Sequence, residues 1–310
     1  MNGIGISPGI SIGKVLVYKE AELIIEKRQI TNIKDEIERL KMSIEKATIE
    51  VDELYNEMLK TVGKYEAAIF NAHKMILNDP EFIESIKSRI NEHKVNAEYA
   101  IRDISHHYKS LFENMEDEYL KARALDIEDI SKRLVRILLG VKNKDLRLIK
   151  DKCILVAKDL TPSDIAQMNK DMVMGIVTER GGRTSHASIM IRAMEIPFVT
   201  GIQDISKKVK DGEVIILDGS RGLVLTNPTY EEVEKYKNKK YEYEKIKDKI
   251  KKVKGLKSIS KDGIEVKLVA NIGSPKDVDK VIENDGEGIG LYRSEFLYLN
   301  KDSIPSEEEQ

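Results

Sequence analysis

From Ile33 the apolar positions fall at Ile33, Ile37, Leu40, Ile44, Ala47, Val51, Leu54 and Met58, four and three residues apart in strict alternation. This heptad seam predicts a long helix packed along its length against another. Charge-rich stretches with helical spacing follow at 81–92, 96–114 and 118–138. Pro80 is placed at a helix start, where its missing N–H costs nothing, and Gly140 at a C-terminal stop. The pattern over 21–143 predicts an antiparallel helical bundle.

On either side the period changes. Residues 1–20 read as two short strands, Ile4-Gly5-Ile6 and 13–18, joined by the turn Ser7-Pro8-Gly9. Strand signals return at 153–157 and 172–178, followed by a short helical pattern around Ala187, Met190, Ala193 and Met194. A hairpin is predicted at 214–217 and 223–225 across Asp218-Gly219-Ser220-Arg221-Gly222. The simplest assembly sets residues 1–20 in one sheet with the strands after 152, the bundle being inserted between them. A connecting helix is predicted over 229–255. A βαβ unit then opens with a strand at 266–272, a helix capped by Ser274 through 283, and a strand at 288–291. The expected fold is an α/β layer of 1–20 plus 144–228, a helical domain of 21–143, a linker at 229–260 and the start of a (β/α)8 barrel at 261–310. Such a barrel takes about 250 residues, so it is expected to be truncated here.

Composition narrows the function. Charged residues make up 34% of the 310 and hydrophobic residues 41%, with a formal net charge of −2. That balance gives no electrostatic case for nucleic acid. No run approaches ~20 apolar residues, so no membrane helix is expected. The first six residues have no basic region leading into an apolar core, so no signal peptide is expected. The lone cysteine, Cys153, suits a small buried strand residue in a reducing cytoplasm.

Chemistry concentrates in Gly181-Gly182-Arg183-Thr184-Ser185-His186-Ala187-Ser188-Ile189, between a predicted strand and a predicted helix. Paired glycines let the backbone approach a ligand closely. A helix N-terminus presents open N–H groups and partial positive charge, which favour phosphate and a neutral imidazole over imidazolium. Phosphate on a neutral His186 would lie among Arg183, the Thr184 and Ser185 hydroxyls and backbone amides. On spacing alone, a histidine that caps a helix or satisfies a turn explains the segment as well. No metal-ligand spacing involves His186.

This segment, with Ile196-Pro197 after it, resembles the phosphohistidine segment of enzyme I of the phosphoenolpyruvate:sugar phosphotransferase system. Further motifs follow in family order: Gly5-Ile6-Ser7-Pro8-Gly9-Ile10, Glu118-Tyr119-Leu120-Lys121, Asp159-Leu160-Thr161-Pro162-Ser163 and Gly290-Leu291-Tyr292-Arg293-Ser294-Glu295-Phe296-Leu297. The resemblance implies a cytoplasmic phosphotransferase phosphorylated at His186, through Nε2, that passes the group to a histidine of the phosphocarrier HPr. It implies that Arg293 grips the phosphate of phosphoenolpyruvate, and that HPr docks on the bundle at Ile69, Phe70, His73, Met75, Ile76 and Arg123. It further implies Mg²⁺ in the full-length enzyme, with ligands beyond this chain, and a homodimer formed through the barrel. The 310 residues alone are then expected to be monomeric, to exchange phosphate with HPr and not to react with phosphoenolpyruvate. Ile165 departs from the threonine some members carry near the phosphohistidine. Two other readings stay open. A pyruvate-phosphate dikinase or phosphoenolpyruvate synthase fragment would add a nucleotide-grasp domain, and no Gly-rich loop of that kind is present. A non-catalytic protein that sequesters HPr would bind without exchange.

Overall fold

The computed structural model describes residues 1–115, 118–141, 144–183, 185–295, 298, 305–308 and 310. They divide into two compact units, Met1–Lys240 and Tyr241–Gln310.

The heptad seam forms α1, Ile33–Thr61, with Leu40, Ala47, Val51, Leu54 and Met58 buried along it. Its first turn is capped by Asn32, whose side chain accepts from the Lys34 and Asp35 N–H groups. Four helices pack around it: α2 (Lys64–Leu77), α3 (Pro80–His93), α4 (Ala97–Glu113) and α5 (Glu118–Leu139). Pro80 stands in the first turn of α3, behind an Asp79 cap that accepts from the Phe82 N–H. The segment before α1 is not helical. It runs extended and pairs with the α3–α4 connection, through a bridge of Gln29 to Val95 and bonds from the Arg28 N–H to the Asn96 side chain and from the Ile30 N–H to the Lys94 carbonyl.

The α/β part contains β1 (Ile4–Ser7), β2 (Ile10–Tyr18), β3 (Cys153–Ala157), α6 (Pro162–Ala166), β4 (Val173–Thr178), α7 (His186–Ala193), β5 (Phe198–Thr200), α8 (Ile205–Lys208), β6 (Val214–Asp218) and β7 (Leu223–Thr226). The strands form one sheet in the order β1-β5-β4-β3-β2-β6-β7, with β2, β3, β4 and β5 mutually parallel. Residues 1–18 share this sheet, as the sequence pattern predicts. The sheet curls until its ends meet: the Met1 amine donates to the Val224 carbonyl at 2.7 Å and the Gly3 N–H to the Gly222 carbonyl at 2.8 Å. The result is a nearly closed barrel, whose seam is lined by glycine. A Cβ on Gly219 would collide with the Ser7 carbonyl oxygen, and one on Gly5 with the Gly219 carbonyl oxygen.

Strand alternation sorts the core into two clusters. Ile154, Val156, Val177, Val199, Ile215, Leu217 and Val224 fill the barrel. Leu155, Ile176 and Phe198 point the other way and join Leu40, Ile86 and Ile130 of the bundle in a single apolar cluster. The helical and α/β parts, separate domains in the sequence reading, thus share one core.

A buried polar node joins β2 to α6 within the α/β part. The Asp164 carboxylate, in α6, accepts from the Tyr18 hydroxyl at 2.7 Å and from the Thr161 N–H and hydroxyl at 2.9 and 3.0 Å. Burial pushes its pKa up to about 6, against the opposing effect of the Tyr18 bond. Since the folded value lies above the unfolded one, the folded state binds the proton more tightly. The associated stability is fully present below about pH 4 and is lost as pH rises through about 6. Asp164→Asn is therefore expected to become more stable relative to the parent between pH 4.5 and 7, by up to about 3 kcal/mol. Urea-unfolding midpoints measured across that range check it; parallel pH profiles for the two proteins would contradict it.

The second unit carries most of the expected βαβ unit. Here β8 (Ala270–Ile272) and β9 (Ile289–Tyr292) are parallel and joined by α10 (Val278–Glu283). The strand foreseen over 266–272 shrinks to its last three residues, because the Val266 N–H bonds back to Ser258 instead. The N-cap position of α10 falls at Asp277 rather than at the predicted Ser274, and its carboxylate makes no cap bond but accepts from the upstream Gly273 and Ser274 N–H groups. The connecting helix α9, Tyr230–Lys252, runs from the first unit into the second.

Candidate active site

His186 is the first residue of α7. The loop before it is fixed at two carbonyls. That of Arg180 accepts from the Thr178 and Thr200 hydroxyls, both at 2.7 Å. That of Gly182 accepts from Ser188 Oγ at 2.6 Å and Ser185 Oγ at 3.1 Å. Gly181 has φ +121°, a conformation that L side chains rarely adopt, so the turn requires glycine. Ser185 caps α7 by accepting from the Ser188 N–H at 3.2 Å.

A helix leaves its first N–H groups without intrahelical partners. Ser185 takes that of Ser188, and those of His186 and Ala187 stay open to an anion at the positive end of the helix dipole. Ser185 was expected to face a bound phosphate with its hydroxyl. That oxygen is committed to the cap and to Gly182, so the residue shapes the loop that holds the imidazole. Gly182 is half-buried and Arg183 exposed beside it, while Thr184 lies outside the described residues.

The half-buried His186 borders a cavity of about 280 Å³, whose opposite wall is α2 and α5, with Ile69, Ala72, Arg123 and Asp126. The structure thus brings Ile69 and Arg123 to the histidine. It does not place all the proposed docking residues at a surface. Phe70 and His73 are 1% and 0% exposed and offer nothing for a partner to touch. They fall on the side of α2 that packs into the bundle, the reverse of the face holding the 74% exposed Met75. Ile76 is half-buried against the shared core.

His73 belongs to a polar line unseen in the sequence. Its Nε2 lies 3.5 Å from Asp126, which also faces Arg123 at 3.5 Å, and its Nδ1 lies 3.8 Å from Asp129. Asp129 accepts from the Ser163 hydroxyl at 2.7 Å, and Ser163 accepts from buried Arg133 at 2.8 Å. Asp126 and Asp129 carried the only sequence signal, a spacing of three on one helix. Elsewhere Cys153 is buried in its strand, as its apolar run predicts, and His93, His106 and His107 are exposed. Ile165 is fully buried.

Arg293 follows β9 in the second unit, its N–H bonded to the Ile272 carbonyl at 2.7 Å, at the carboxyl end of a parallel strand pair. Phe296 and Leu297 lie outside the described residues. Among the described residues, no group of three or more His, Cys, Asp or Glu side chains is arranged to hold a metal ion. No described helix is long and apolar enough to cross a membrane.

Three family models match in succession: PEP-utilising enzyme, N-terminal, over 2–123; the mobile domain over 149–222; and the PEP-binding domain over 247–310. The chain is 42% identical over 310 residues to phosphoenolpyruvate-protein phosphotransferase of Priestia megaterium and 41% identical to that of Staphylococcus carnosus. All of this chain is covered but 54% of each relative, so it spans about half the length of the curated relatives it matches. Among solved structures, an NMR structure of an Enzyme I protein covers 79% of this chain and 99% of its own at 40% identity, with a TM-score of 0.69. The N-terminal domain of Enzyme 1 - Nitrogen matches at 26% identity, 76% and 98% coverage and a TM-score of 0.53.

Proposed function

This chain belongs to the enzyme I family of phosphoenolpyruvate-protein phosphotransferases, and we propose on that premise that His186 is its phosphoryl carrier. One observation carries the reading: the imidazole stands on the first turn of α7, beside open N–H groups, and borders a cavity. A phosphoryl donor placed there meets a nitrogen nucleophile held by a doubly stapled loop. In the forward direction the bond from phosphorus to the enol oxygen of phosphoenolpyruvate breaks as a bond to His186 Nε2 forms. In the second step that P–N bond breaks as one to a histidine of HPr forms. Charge on the transferring group is met by Arg183 and by the N–H groups of His186 and Ala187.

HPr docks on the bundle at the outer face of α2, through Met75 and Ile76, with Ile69 and Arg123 at the edge nearest His186. Arg293 holds the phosphate of phosphoenolpyruvate, with Mg²⁺ supplied in the full-length enzyme. That enzyme is a cytoplasmic homodimer joined through its barrel, whereas a polypeptide of these 310 residues is monomeric. The common core of bundle and sheet favours their moving as one body between donor and acceptor, with the flexing segment in 228–260.

Phospho-HPr carrying radiolabelled phosphate tests this. The 310-residue polypeptide is expected to take up acid-labile, alkali-stable label from it, and to take up none from phosphoenolpyruvate and Mg²⁺ without HPr. Met75→Glu is expected to weaken uptake about tenfold or more at limiting HPr while leaving the melting temperature unchanged. Labelling by phosphoenolpyruvate alone would overturn the division of labour between the two units, and an unaffected Met75→Glu would move the docking face.

A further inference from the structure

Besides the cavity at His186, a second and larger groove of about 1100 Å³ runs between α4 and α5 on one wall and the ends of β3 and β4 on the other. We propose that this groove binds a polyphosphorylated small molecule with an apolar or aromatic moiety, the chemistry of a nucleoside triphosphate.

Charge is the first argument. Eight Lys and Arg side chains line the groove against four Asp and Glu, in a chain whose net charge is −2. The carboxylates are partly occupied: Glu128 by Lys109 and Lys132, Glu20 by Lys132, and Asp159 by the Leu160 N–H. Among the described residues, Lys19, Lys158 and Lys210 face the groove with no salt-bridge partner, Arg180 faces Asp159 without a salt bridge, and Arg102 bonds the Ile25 carbonyl and stacks on the Tyr99 ring. Like charges converging from two walls repel one another, and a multivalent anion between them removes that cost.

Position is the second. Lys158 directly follows the carboxyl end of β3 and Arg180 stands two residues past that of the parallel β4, the two held side by side by the bond from the Arg180 N–H to the Lys158 carbonyl at 3.0 Å. The crevice past the carboxyl ends of parallel strands is where α/β sheets take ligands. The third argument is the lining itself. Val135 and Val209 are apolar ground between the cations, and the volume accommodates a nucleotide rather than a single phosphate. The groove also touches the catalytic loop, because Arg180 is the residue whose carbonyl the Thr178 and Thr200 hydroxyls fix.

Calorimetric titration of the whole 310-residue chain with magnesium-free ATP, inorganic tripolyphosphate and adenosine reads the site. ATP is expected to bind saturably, tripolyphosphate more weakly and adenosine not at all. Binding should weaken steeply as salt rises. The pair Lys158→Ala and Lys210→Ala, both exposed, is expected to lower ATP affinity about tenfold or more, and Lys158→Glu alone to lower it further than Lys158→Ala alone. His186→Ala should bind ATP as the parent does. No saturable ATP binding would overturn the proposal. So would ATP affinity unchanged by the lysine substitutions, or lost in His186→Ala, which would put the anion in the phosphohistidine cavity. None of these readouts involves HPr, so they stand apart from the phosphoryl exchange experiment.

Discussion

His186→Ala is expected to take up no phosphoryl group from phospho-HPr, a loss on the order of 10⁴-fold or more, the scale on which removal of a covalent nucleophile acts. The substitution leaves the architecture of the loop in place. Both staples on it, at the Arg180 and Gly182 carbonyls, come from other side chains, and the Ser185 cap on α7 does not involve the imidazole. A half-buried ring at a cavity rim contributes little to the core, so stability should change by only about 0.5 kcal/mol. The informative comparison is therefore between label uptake and the thermal melt of one preparation. Loss of uptake with an unchanged melt assigns the chemistry to the imidazole. Acid-labile label persisting in the variant would place the carrier elsewhere.

Gly219→Ala carries the largest expected effect on stability. Overpacking of a core by a methyl group is usually absorbed by rotating a side chain, at about 1–3 kcal/mol. Here the added Cβ meets the Ser7 carbonyl, and the Phe198 backbone N lies behind it, so only the main chain can yield. The residue sits where β1 and the β6–β7 turn approach at the seam, and its own N–H bonds the Gly9 carbonyl at 2.8 Å. A loss of about 3 kcal/mol or more is expected, read as a lower urea midpoint at an unchanged slope. Gly212→Ala is a contrasting control, strained by backbone conformation where Gly219→Ala is strained by contact. Its φ of +86° is strained for alanine, but nothing stands within 4 Å of an added Cβ. If the two variants lose the same stability, close approach at the seam is not what requires glycine at 219.

Much of this architecture was legible in the sequence, for identifiable reasons. The long helices carry a sustained apolar period, and their boundaries are marked by Asp79-Pro80 and Gly140. β3 was legible as an unbroken apolar run because the sheet is covered on both faces there. The segment around His186 was legible through its resemblance to the enzyme I family, since on spacing alone a helix cap or a turn explains it as well. The misses have a physical origin as well. β5 is three residues long and α8 four, too short to show any period. The burial of His73 and Phe70 depends on the rotation of α2 against α5, which a helical repeat alone does not fix. The basic groove gathers Lys19, Arg102, Lys158 and Lys210 from four separate parts of the chain. No local window contains them, and the near-zero net charge conceals them.

The seam between Met1 and Val224 also sets an order of events. The sheet partners of residues 1–18 run from Ile154 to Val224, so β1 and β2 are made well before any strand they pair with. At 5–20 residues per second, the intervening chain takes roughly 10–40 s to make. Helices α1 to α5 have local contacts and complete long before that. The helices therefore form while β1 and β2 still wait as unpaired apolar strands and the core that bundle and sheet share is incomplete, which makes this interval the point at which the growing chain is most open to aggregation and to capture by chaperones.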